Sequence, residues 1–335
     1  MYDIITIGGA TRDITFLTDK GKVIETPENL TEQALLCFEH GAKIRSDEIF
    51  LNFGSGGCNS AVTFAKLGFK VAVNCRIGKD DEGKTVINNL KERGINTDLV
   101  QVDENNKTGF SFVVLNKKDG DRVIFVYKGA SDFIEINVNE IGNAKWLYLA
   151  SIAGDWKEDL KEINKAVENN DIKLAWNPGA TQISAGKAEL ENTLKNTEIL
   201  IVNKDEAIEL VQSDEKIKLD FNEITDTKIL LTILKKWGPK NVIVTDGPEG
   251  AYIYDGEKIL YAPATSKIKV DSTGAGDSFG SALVAGYMQN ENIEMALRYG
   301  VLNSGNVVGE YGAQNGILSK DEIEKRLREV KVSCL

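Results

Sequence analysis

Short apolar segments alternate with amphipathic segments along most of the chain. The apolar runs have the length and β-branched content of buried strands, and they lie at residues 4–7, 71–75, 147–150, 174–176, 199–202 and 242–245. Helical periodicity separates them at residues 60–67, 84–93, 157–168 and 230–237. Gly94 and Gly238 follow two of these helices and are predicted to cap them. The alternation predicts an α/β fold with a doubly wound, mostly parallel sheet covered by helices on both faces.

Two regions depart from this alternation and predict a small second sheet. Residues 12–19 and 108–127 alternate like strands that have one exposed face. In the second region, two strand-like runs at 109–115 and 122–127 flank residues 117–120, where the pair Asp119-Gly120 favours a hairpin turn. We expect a single domain over residues 1–335 with an inserted β-lid, approximately residues 12–51 and 106–127. Residues 32–40 look helical within the insertion.

Composition and charge exclude several classes of function. A chain of 335 residues with 42% hydrophobic and 27% charged residues is typical of a globular protein. The net charge of −11 argues against nucleic-acid binding, which requires a basic surface. The four cysteines are widely spaced and His40 is the single histidine, so neither a Cys/His metal cluster nor a histidine base is predicted. Without a signal peptide or a membrane span in the sequence, we expect a cytoplasmic protein.

The first of two glycine-rich loops, GKDDEGKT at residues 78–85, matches the P-loop pattern G-x-x-x-x-G-K-[ST]. Its interior carries Asp80, Asp81 and Glu82, where the backbone would have to wrap a polyanion. A carboxylate 4 Å from a phosphate costs about 4 kcal/mol near a protein surface. The favoured interpretation is a polar loop in which an acidic residue caps a helix. A P-loop NTPase is the less favoured alternative.

The second loop, DSTGAGDSFG at residues 271–280, has small residues where a phosphate would lie. Gly274, Ala275 and Gly276 allow backbone amides to converge at the start of an apolar helix, and such amides bind anions without a charged side chain. Asp277 follows immediately, where it could take the proton of a hydroxyl that attacks a phosphoryl group. The alternative is an ordinary helix-capping aspartate after a glycine turn.

Together with the residues that follow, DSTGAGDSFGSALVAGY resembles the C-terminal signature of the ribokinase family of sugar kinases, also called the phosphofructokinase-B family. Further family motifs occur in the family's order: GGATRD at 8–13, GSGGCNSA at 54–61, GKDDEG at 78–83, GAS at 129–131, NKDE at 203–206, TDGPEG at 245–250 and GA at 312–313. The resemblance extends over nearly the whole chain. It implies a ribokinase-like domain in which a β-lid closes over an alcohol substrate and ATP binds at the carboxyl edge of the sheet.

The resemblance also implies a role for each matched residue. Catalysis would fall to Asp277 as the base and to an anion hole formed by Gly274, Ala275 and Gly276. The acceptor would be held by Asp13, Gly57 and Asn59. The nucleotide would be held by Asn203, Thr245, Gly247, Gly250 and Asn303. Glu206 would organise Mg²⁺ through water, and Asp271 would contribute to a K⁺ site. Read without the family, Asn203 and Glu206 also match a helix capping box.

The implied activity is that of a magnesium-dependent kinase that transfers phosphate from ATP to a hydroxymethyl group of a small sugar. A nucleoside kinase of the same family is the main alternative. The sequence departs from the family at four places: Thr11 replaces an asparagine of ribose-specific members, Ser55 replaces a common glycine, and Ser131 replaces a common asparagine. The fourth is the stretch ASIA at residues 150–153, which lacks the acidic residue that ribose-specific members tend to have there. An exposed edge of the lid would support a homodimer.

Overall fold

A computed structural model describes residues 1–25, 34–46, 48–118, 122–265 and 269–335. The strands of this part of the chain are β1 (Tyr2–Ile7), β2 (Thr11–Thr18), β3 (Lys22–Glu25), β4 (Ala34–Cys37), β5 (Glu48–Gly54), β6 (Val71–Gly78), β7 (Val100–Asp103), β8 (Gly109–Asn116), β9 (Arg122–Tyr127), β10 (Ala144–Leu149), β11 (Lys173–Trp176), β12 (Thr197–Asn203), β13 (Asn241–Thr245), β14 (Ala251–Tyr254), β15 (Ile259–Ala262) and β16 (Ser333–Cys334).

The helices in the described residues are α1 (Gly56–Lys66), α2 (Asp81–Glu92), α3 (Val138–Ile141), α4 (Trp156–Asn170), α5 (Ala180–Lys195), α6 (Lys204–Gln212), α7 (Phe221–Thr225), α8 (Thr227–Lys236), α9 (Ala275–Asn290), α10 (Ile293–Val307) and α11 (Lys320–Arg326). The four helices that the amphipathic periodicity predicts are present as α1, α2, α4 and α8, with ends that shift by a few residues. Gly94 and Gly238 follow α2 and α8 at positive φ, which confirms their predicted capping role. No helix in the described part of the chain has the length and hydropathy of a membrane span.

Within the described residues the main sheet has the order β16-β15-β14-β13-β12-β11-β10-β1-β6-β7. Its strands are parallel from β7 to β13, and β14 to β16 extend one edge in antiparallel fashion. Successive residues of a strand face opposite layers: Ile4 packs on the side of α1, α9 and α10, whereas Ile5 packs on the side of α4, α6 and α8. Burial on both faces explains the continuous apolar runs of these strands.

The lid is a separate four-stranded sheet with the order β5-β2-β8-β9. Strands β8 and β9 form the predicted hairpin, although its Asp119-Gly120 turn lies outside the described residues. Strand β2 pairs in parallel with β8 and in antiparallel with β5. In register, Asp13 lies between Asn52 and Ser111, so one face of the lid presents polar side chains to the main domain.

The predicted helix at residues 32–40 is wrong where the chain is described. Residues 34–37 form β4, which pairs in antiparallel with β3. Residues 32 and 33 lie outside the described part of the chain. Local helix propensity is a weak preference, and pairing with a neighbouring strand overrides it here.

Candidate active site

Asp277 lies in the first turn of α9, and its side chain contacts the first turn of α1. Asn59 donates a hydrogen bond from Nδ2 to Asp277 Oδ2 at 2.8 Å. A Cβ added to Gly56 would lie 3.3 Å from Asp277 Oδ1 and 2.7 Å from the Ala150 side chain, so glycine allows this approach. Burial raises the pKa of Asp277 above its ordinary value, the bond from Asn59 opposes the rise, and the nearby charge of Asp13 adds to it.

Asp13 belongs to the inner face of the lid and is 6% exposed. Thr11 donates to its Oδ1 at 2.8 Å. Burial raises the pKa of Asp13, and hydrogen bonds from Thr11 and Ser111 oppose the rise. A Cβ on Gly54 would lie 1.9 Å from Asp13 Oδ2, so the neighbouring strand needs glycine at that position. The predicted acceptor residues Asp13 and Asn59 are thereby brought together beside the predicted base.

Gly57 contributes through its backbone. An added Cβ would lie 2.7 Å from the carbonyl of Gly8, so the start of α1 packs directly on the end of β1. The preceding Ser55 has φ of +71° and ψ of 147°, a conformation that side-chain-bearing residues rarely adopt. Such strain costs on the order of 1 kcal/mol. A glycine at this position would avoid the strain.

The start of α9 has a backbone turn in place of a side-chain cap. Gly274 has φ of +75°, and a Cβ there would lie 2.3 Å from the Ala313 side chain. The amide of Ala275 closes the turn onto the Ser272 carbonyl at 3.3 Å. The amides of Gly276 and Asp277 belong to the first helical turn, where the helix itself offers no acceptor carbonyl. With the helix dipole behind them, these amides can bind an anion.

Asp271 holds this turn in shape. Its Oδ1 accepts hydrogen bonds from Thr273 N at 2.8 Å and Thr273 Oγ1 at 2.6 Å, and its Oδ2 accepts one from Gly312 N at 2.9 Å. The residue is 1% exposed. Asp271 therefore links the loop to the segment that follows α10, and its predicted K⁺ contact stays a prediction.

A cleft of about 500 Å³ runs from β13 to the start of α9. It brings the predicted nucleotide-binding residues Thr245, Gly247 and Gly250 together with Ala275 and Gly276 of the predicted anion hole. Its wall also includes the apolar side chains of Pro248, Ala251, Ala264, Phe279, Val301 and Val308. A largely apolar cleft that ends at a helix amino terminus suits a nucleotide, with the base in the apolar part and phosphates at the amides.

Asn203 and Glu206 lie at the same edge of the sheet. Asn203 is the register neighbour of Thr245 on β13. The two residues form a reciprocal capping box, in which Glu206 N donates to Asn203 Oδ1 and Asn203 N donates to Glu206 Oε2, both at 2.8 Å. Burial raises the pKa of Glu206, and the bond from the Asn203 backbone opposes the rise. The capping alternative therefore describes their contacts, and a water-mediated role in metal binding is compatible with it.

Asn303 makes contacts inside the protein. It is fully buried, its Nδ2 donates to the Ser278 carbonyl at 2.9 Å, and its Oδ1 accepts from Leu318 N at 2.9 Å. This amide ties α10 to α9 and to the chain that follows. Its neighbours Ser304 and Gly305 line the cleft. Asn303 thus supports the cleft wall, while its predicted contact with a nucleotide has no counterpart in these bonds.

Arg122, at the start of β9, was not identified from the sequence. Its guanidinium Nη1 donates to Ser272 Oγ, so the lid reaches the loop that begins α9. Its Nε is buried and has no hydrogen-bond partner among the described residues. In the sequence, Arg122 is only the first residue of a strand-like run. No local sequence pattern indicates that this strand begins beside the turn that precedes α9, so the role of Arg122 could not be predicted from the sequence.

The loop at residues 78–85 confirms the interpretation that an acidic residue caps a helix. Asp80 accepts hydrogen bonds from Gly83 N at 2.8 Å, Thr108 Oγ1 at 2.6 Å and Thr108 N at 2.9 Å. Lys84 forms an ion pair at 2.8 Å with Asp81 on the exposed face of α2. Asp80 therefore joins the start of α2 to the residue that precedes β8 of the lid.

Comparisons with known proteins agree with this architecture. The family model described as pfkB family carbohydrate kinase matches residues 29–320. A ribokinase of Bacillus subtilis strain 168 is 28% identical over 277 residues, which cover 82% of this chain and 87% of the relative. The structure of a Methanocaldococcus jannaschii nucleoside kinase covers 98% of both chains with a TM-score of 0.75 and 22% identity. A structure of Arabidopsis thaliana ribokinase complexed with ribose and ATP covers 98% of this chain and 99% of its own, with a TM-score of 0.76 and 23% identity. The predicted ribokinase-like fold is confirmed.

Proposed function

Because the chain belongs to the pfkB family of carbohydrate kinases, we propose that it transfers the γ-phosphoryl group of ATP to a hydroxymethyl group of a small sugar. The observation that carries this proposal is the position of Asp277. Its carboxylate projects from the uncapped first turn of α9, accepts a hydrogen bond from Asn59 and is close enough to Asp13 to feel its charge. ATP as the donor would place the reaction in the cytoplasm.

In the proposed reaction Asp277 is the general base. Asn59 occupies its Oδ2, which leaves Oδ1 to accept the proton of the acceptor hydroxyl. The hydroxyl oxygen bonds to the γ-phosphorus while the bond from that phosphorus to the β–γ bridging oxygen breaks, and ADP leaves with the electron pair. Asp13, buried on the lid, would accept hydrogen bonds from other hydroxyls of the sugar and orient it.

The charge of the transferring phosphoryl group would be stabilised by the first-turn amides of α9 and by Arg122. Of the predicted anion hole, the Ala275 amide is bonded to the Ser272 carbonyl. The proposed anion site therefore uses the amide of Gly276 and adds that of Asp277. The helix fixes both amides, so they need no reorganisation during the reaction. Arg122 already contacts Ser272 from the lid, so closure of the lid would bring a guanidinium to the phosphates and exclude water.

Magnesium, when bound, would neutralise phosphate charge, and Glu206 with Asn203 would hold it through water. The described residues contain no group of three or more His, Cys, Asp or Glu suited to direct metal binding. This fits an ion that the nucleotide phosphates and water ligate, as Mg²⁺ commonly is in kinases. We also propose K⁺ beside Asp271, which a comparison of rates in potassium and in a bulky organic cation would test.

The second candidate is a nucleoside kinase of the same family. It is favoured by Thr11 in place of the asparagine that ribose-specific members of the family carry. Both candidates use the same base and the same anion site. The acceptor alone separates them.

A coupled assay for ADP release tests both candidates against pentoses, hexoses, sugar acids and nucleosides. We expect one class of acceptor to support ADP release that depends on Asp277. In the variant Asp277→Asn, turnover should fall by about a thousandfold while ATP affinity, measured by calorimetry, stays close to that of the unchanged protein. Near-normal turnover of the variant would refute the assignment of the base.

We further propose that a second copy of this chain covers the outer face of the lid. The register of the sheet places Ile14, Leu51, Phe112 and Phe125 on that face, and Leu51 and Phe125 are 57% and 61% exposed. Two acidic copies of the chain repel each other through their charged surfaces, but this apolar face can pack against the same face of a second copy across a twofold axis. Sedimentation should show a dimer that Leu51→Glu converts to monomer, and a monomeric unchanged protein would refute it.

A further inference from the structure

Three buried side-chain amides lead away from the candidate base. Gln314 donates from Nε2 to Asn59 Oδ1 at 3.0 Å, and Asn89 donates from Nδ2 to Gln314 Oε1 at 3.2 Å. At the far end, Arg93 donates from Nε to Asn89 Oδ1 at 3.1 Å. Asn59, Gln314 and Asn89 are all buried. We call these three residues the amide chain; it joins Asp277 on α9 to the last turn of α2.

The two ends of the amide chain fix the direction of every bond in it. An arginine can only donate, so Asn89 presents its oxygen to Arg93 and its amino group to Gln314. Gln314 then presents its amino group to Asn59, whose own amino group faces Asp277. An ionised carboxylate can only accept, so the last bond agrees with the first. A single reversed amide would place two oxygens or two amino groups face to face.

We propose that Gln314 and Asn89 are positioning residues that hold Asn59 in the orientation that donates to Asp277. The inference rests on the proposed role of Asp277 as the base. Neither residue touches the reacting atoms, and their effect passes through Asn59. Without its bond to Gln314, the Asn59 amide can turn its oxygen toward the carboxylate, which then loses the hydrogen bond that favours its ionised form.

The remaining groups around Asp277 would stay unchanged in such variants. Asp13 faces it from β2 and raises its pKa, while the dipole of α9 favours its charge. From β10, Tyr148 presents a buried hydroxyl whose own pKa is raised by burial and by the charge of Asp277, with an opposing contribution from Ser60. A change in the titration of Asp277 would therefore report the orientation of Asn59.

The test is a ¹³C NMR titration of the Asp277 carboxyl in the intact protein, which requires no acceptor. In Gln314→Met, which keeps the length of the side chain but cannot hydrogen-bond as an amide, the pKa of Asp277 should rise by about one unit, since bonds to charged groups are stronger than neutral ones. Asn89→Leu should produce a smaller rise, because Gln314 can still donate to Asn59. The acid limb of kcat/KM should move upward by the same amounts.

A matched control separates positioning from simple loss of stability. Asn164 is also a buried amide, which donates to Thr193 Oγ1 at 2.9 Å and accepts from Asn196 at 3.1 Å in another part of the fold. Asn164→Leu should lower the melting temperature as Asn89→Leu does, without moving the pKa of Asp277. If Gln314→Met does not fold, the surface variant Arg93→Met releases the far end of the chain and should still raise that pKa.

An unchanged pKa of Asp277 in folded Gln314→Met and Arg93→Met would overturn the positioning role, even where turnover depends on Asp277. A raised pKa in both variants would support it. A raised pKa together with full activity of Asp277→Asn would support the orientation of Asn59 and refute the proposed base. The two proposals therefore fail on different measurements.

Discussion

The two glycine-rich loops both lead into helices, but the helices begin in different ways. At residues 78–85 the side chain of Asp80 caps α2 and also binds the backbone of Thr108. At residues 271–280 no side chain caps α9, and Gly274 turns the chain in the left-handed conformation. At a capped helix start, a first-turn amide already binds the capping carboxylate. At an uncapped start, the first-turn amides stay available to an anionic ligand.

The match to the P-loop sequence pattern was therefore a poorer indicator of phosphate binding than the identity of the residue that precedes the helix. Gly83 and Lys84 satisfy the P-loop pattern, yet Asp80 occupies the position that a phosphate would need. Ala275 and Gly276 match no P-loop, yet they line the cleft that contains Thr245 and Gly250. Counting which first-turn amides are already bonded separates a structural loop from a binding loop.

The sharpest test of this contrast is Gly276→Ala. A Cβ at Gly276 meets no atom within 4 Å, so the fold accommodates it, and alanine favours a helix by up to about 1 kcal/mol. Gly276 lines the cleft, so a methyl group there would crowd the bound phosphates, and kcat/KM should fall by about a hundredfold. Steady-state kinetics and urea unfolding measure the two effects.

The corresponding glycine substitution in the loop at residues 78–85 should reduce stability rather than activity. A Cβ at Gly83 would lie 2.3 Å from the Gly78 carbonyl, so Gly83→Ala should reduce the free energy of unfolding by about 1–3 kcal/mol. Equal activity of Gly276→Ala and the unchanged protein would contradict the anion site at α9.

Asp80→Ala should have the next largest effect, and it should fall on stability. The variant loses the helix cap and both bonds to Thr108, so we expect the free energy of unfolding to drop by about 2 kcal/mol. Hydrogen exchange should show the largest loss of protection at the start of α2 and of β8. Asp81→Ala serves as the control, since that side chain is exposed and forms an ion pair with Lys84 on the surface of α2. Loss of ATP binding in Asp80→Ala with unchanged stability would favour the P-loop interpretation.

Lys84→Ala should have the smallest effect. The lysine lies on the surface in an ion pair with Asp81, and exposed pairs of this kind contribute little. We expect kcat/KM within about twofold of the unchanged protein. A loss of two orders of magnitude would instead identify Lys84 as a phosphate ligand and restore the P-loop NTPase alternative.

The sequence predicted features that depend on neighbouring residues. Buried parallel strands are continuous apolar runs, so six strands of the main sheet, β1, β6 and β10 to β13, could be predicted directly. The turn at Gly274 and the position of Asp277 follow from adjacent small residues and one acid. The hairpin of β8 and β9 follows from two alternating runs.

Features that depend on distant residues could not be predicted. Gln314 bonds to Asn89 and Asn59 across 225 and 255 positions of the chain, and no local pattern marks such a contact. Arg122 meets Ser272 across 150 positions for the same reason. A helix was expected at residues 32–40, but residues 34–37 form β4 because a neighbouring strand supplied a partner. These contacts exist only once the fold has formed.

The parallel pairing of β2 with β8 sets an order for the folding of the chain. The two strands are separated by roughly 100 residues, and pairing across so long a loop is slow. During synthesis β2 must wait until β8 emerges, by which time α1 and β6 are complete. The lid should therefore assemble on a main domain that is already partly folded. A chain stalled before Gly109 would leave one hydrogen-bonding edge of β2 without its partner strand β8.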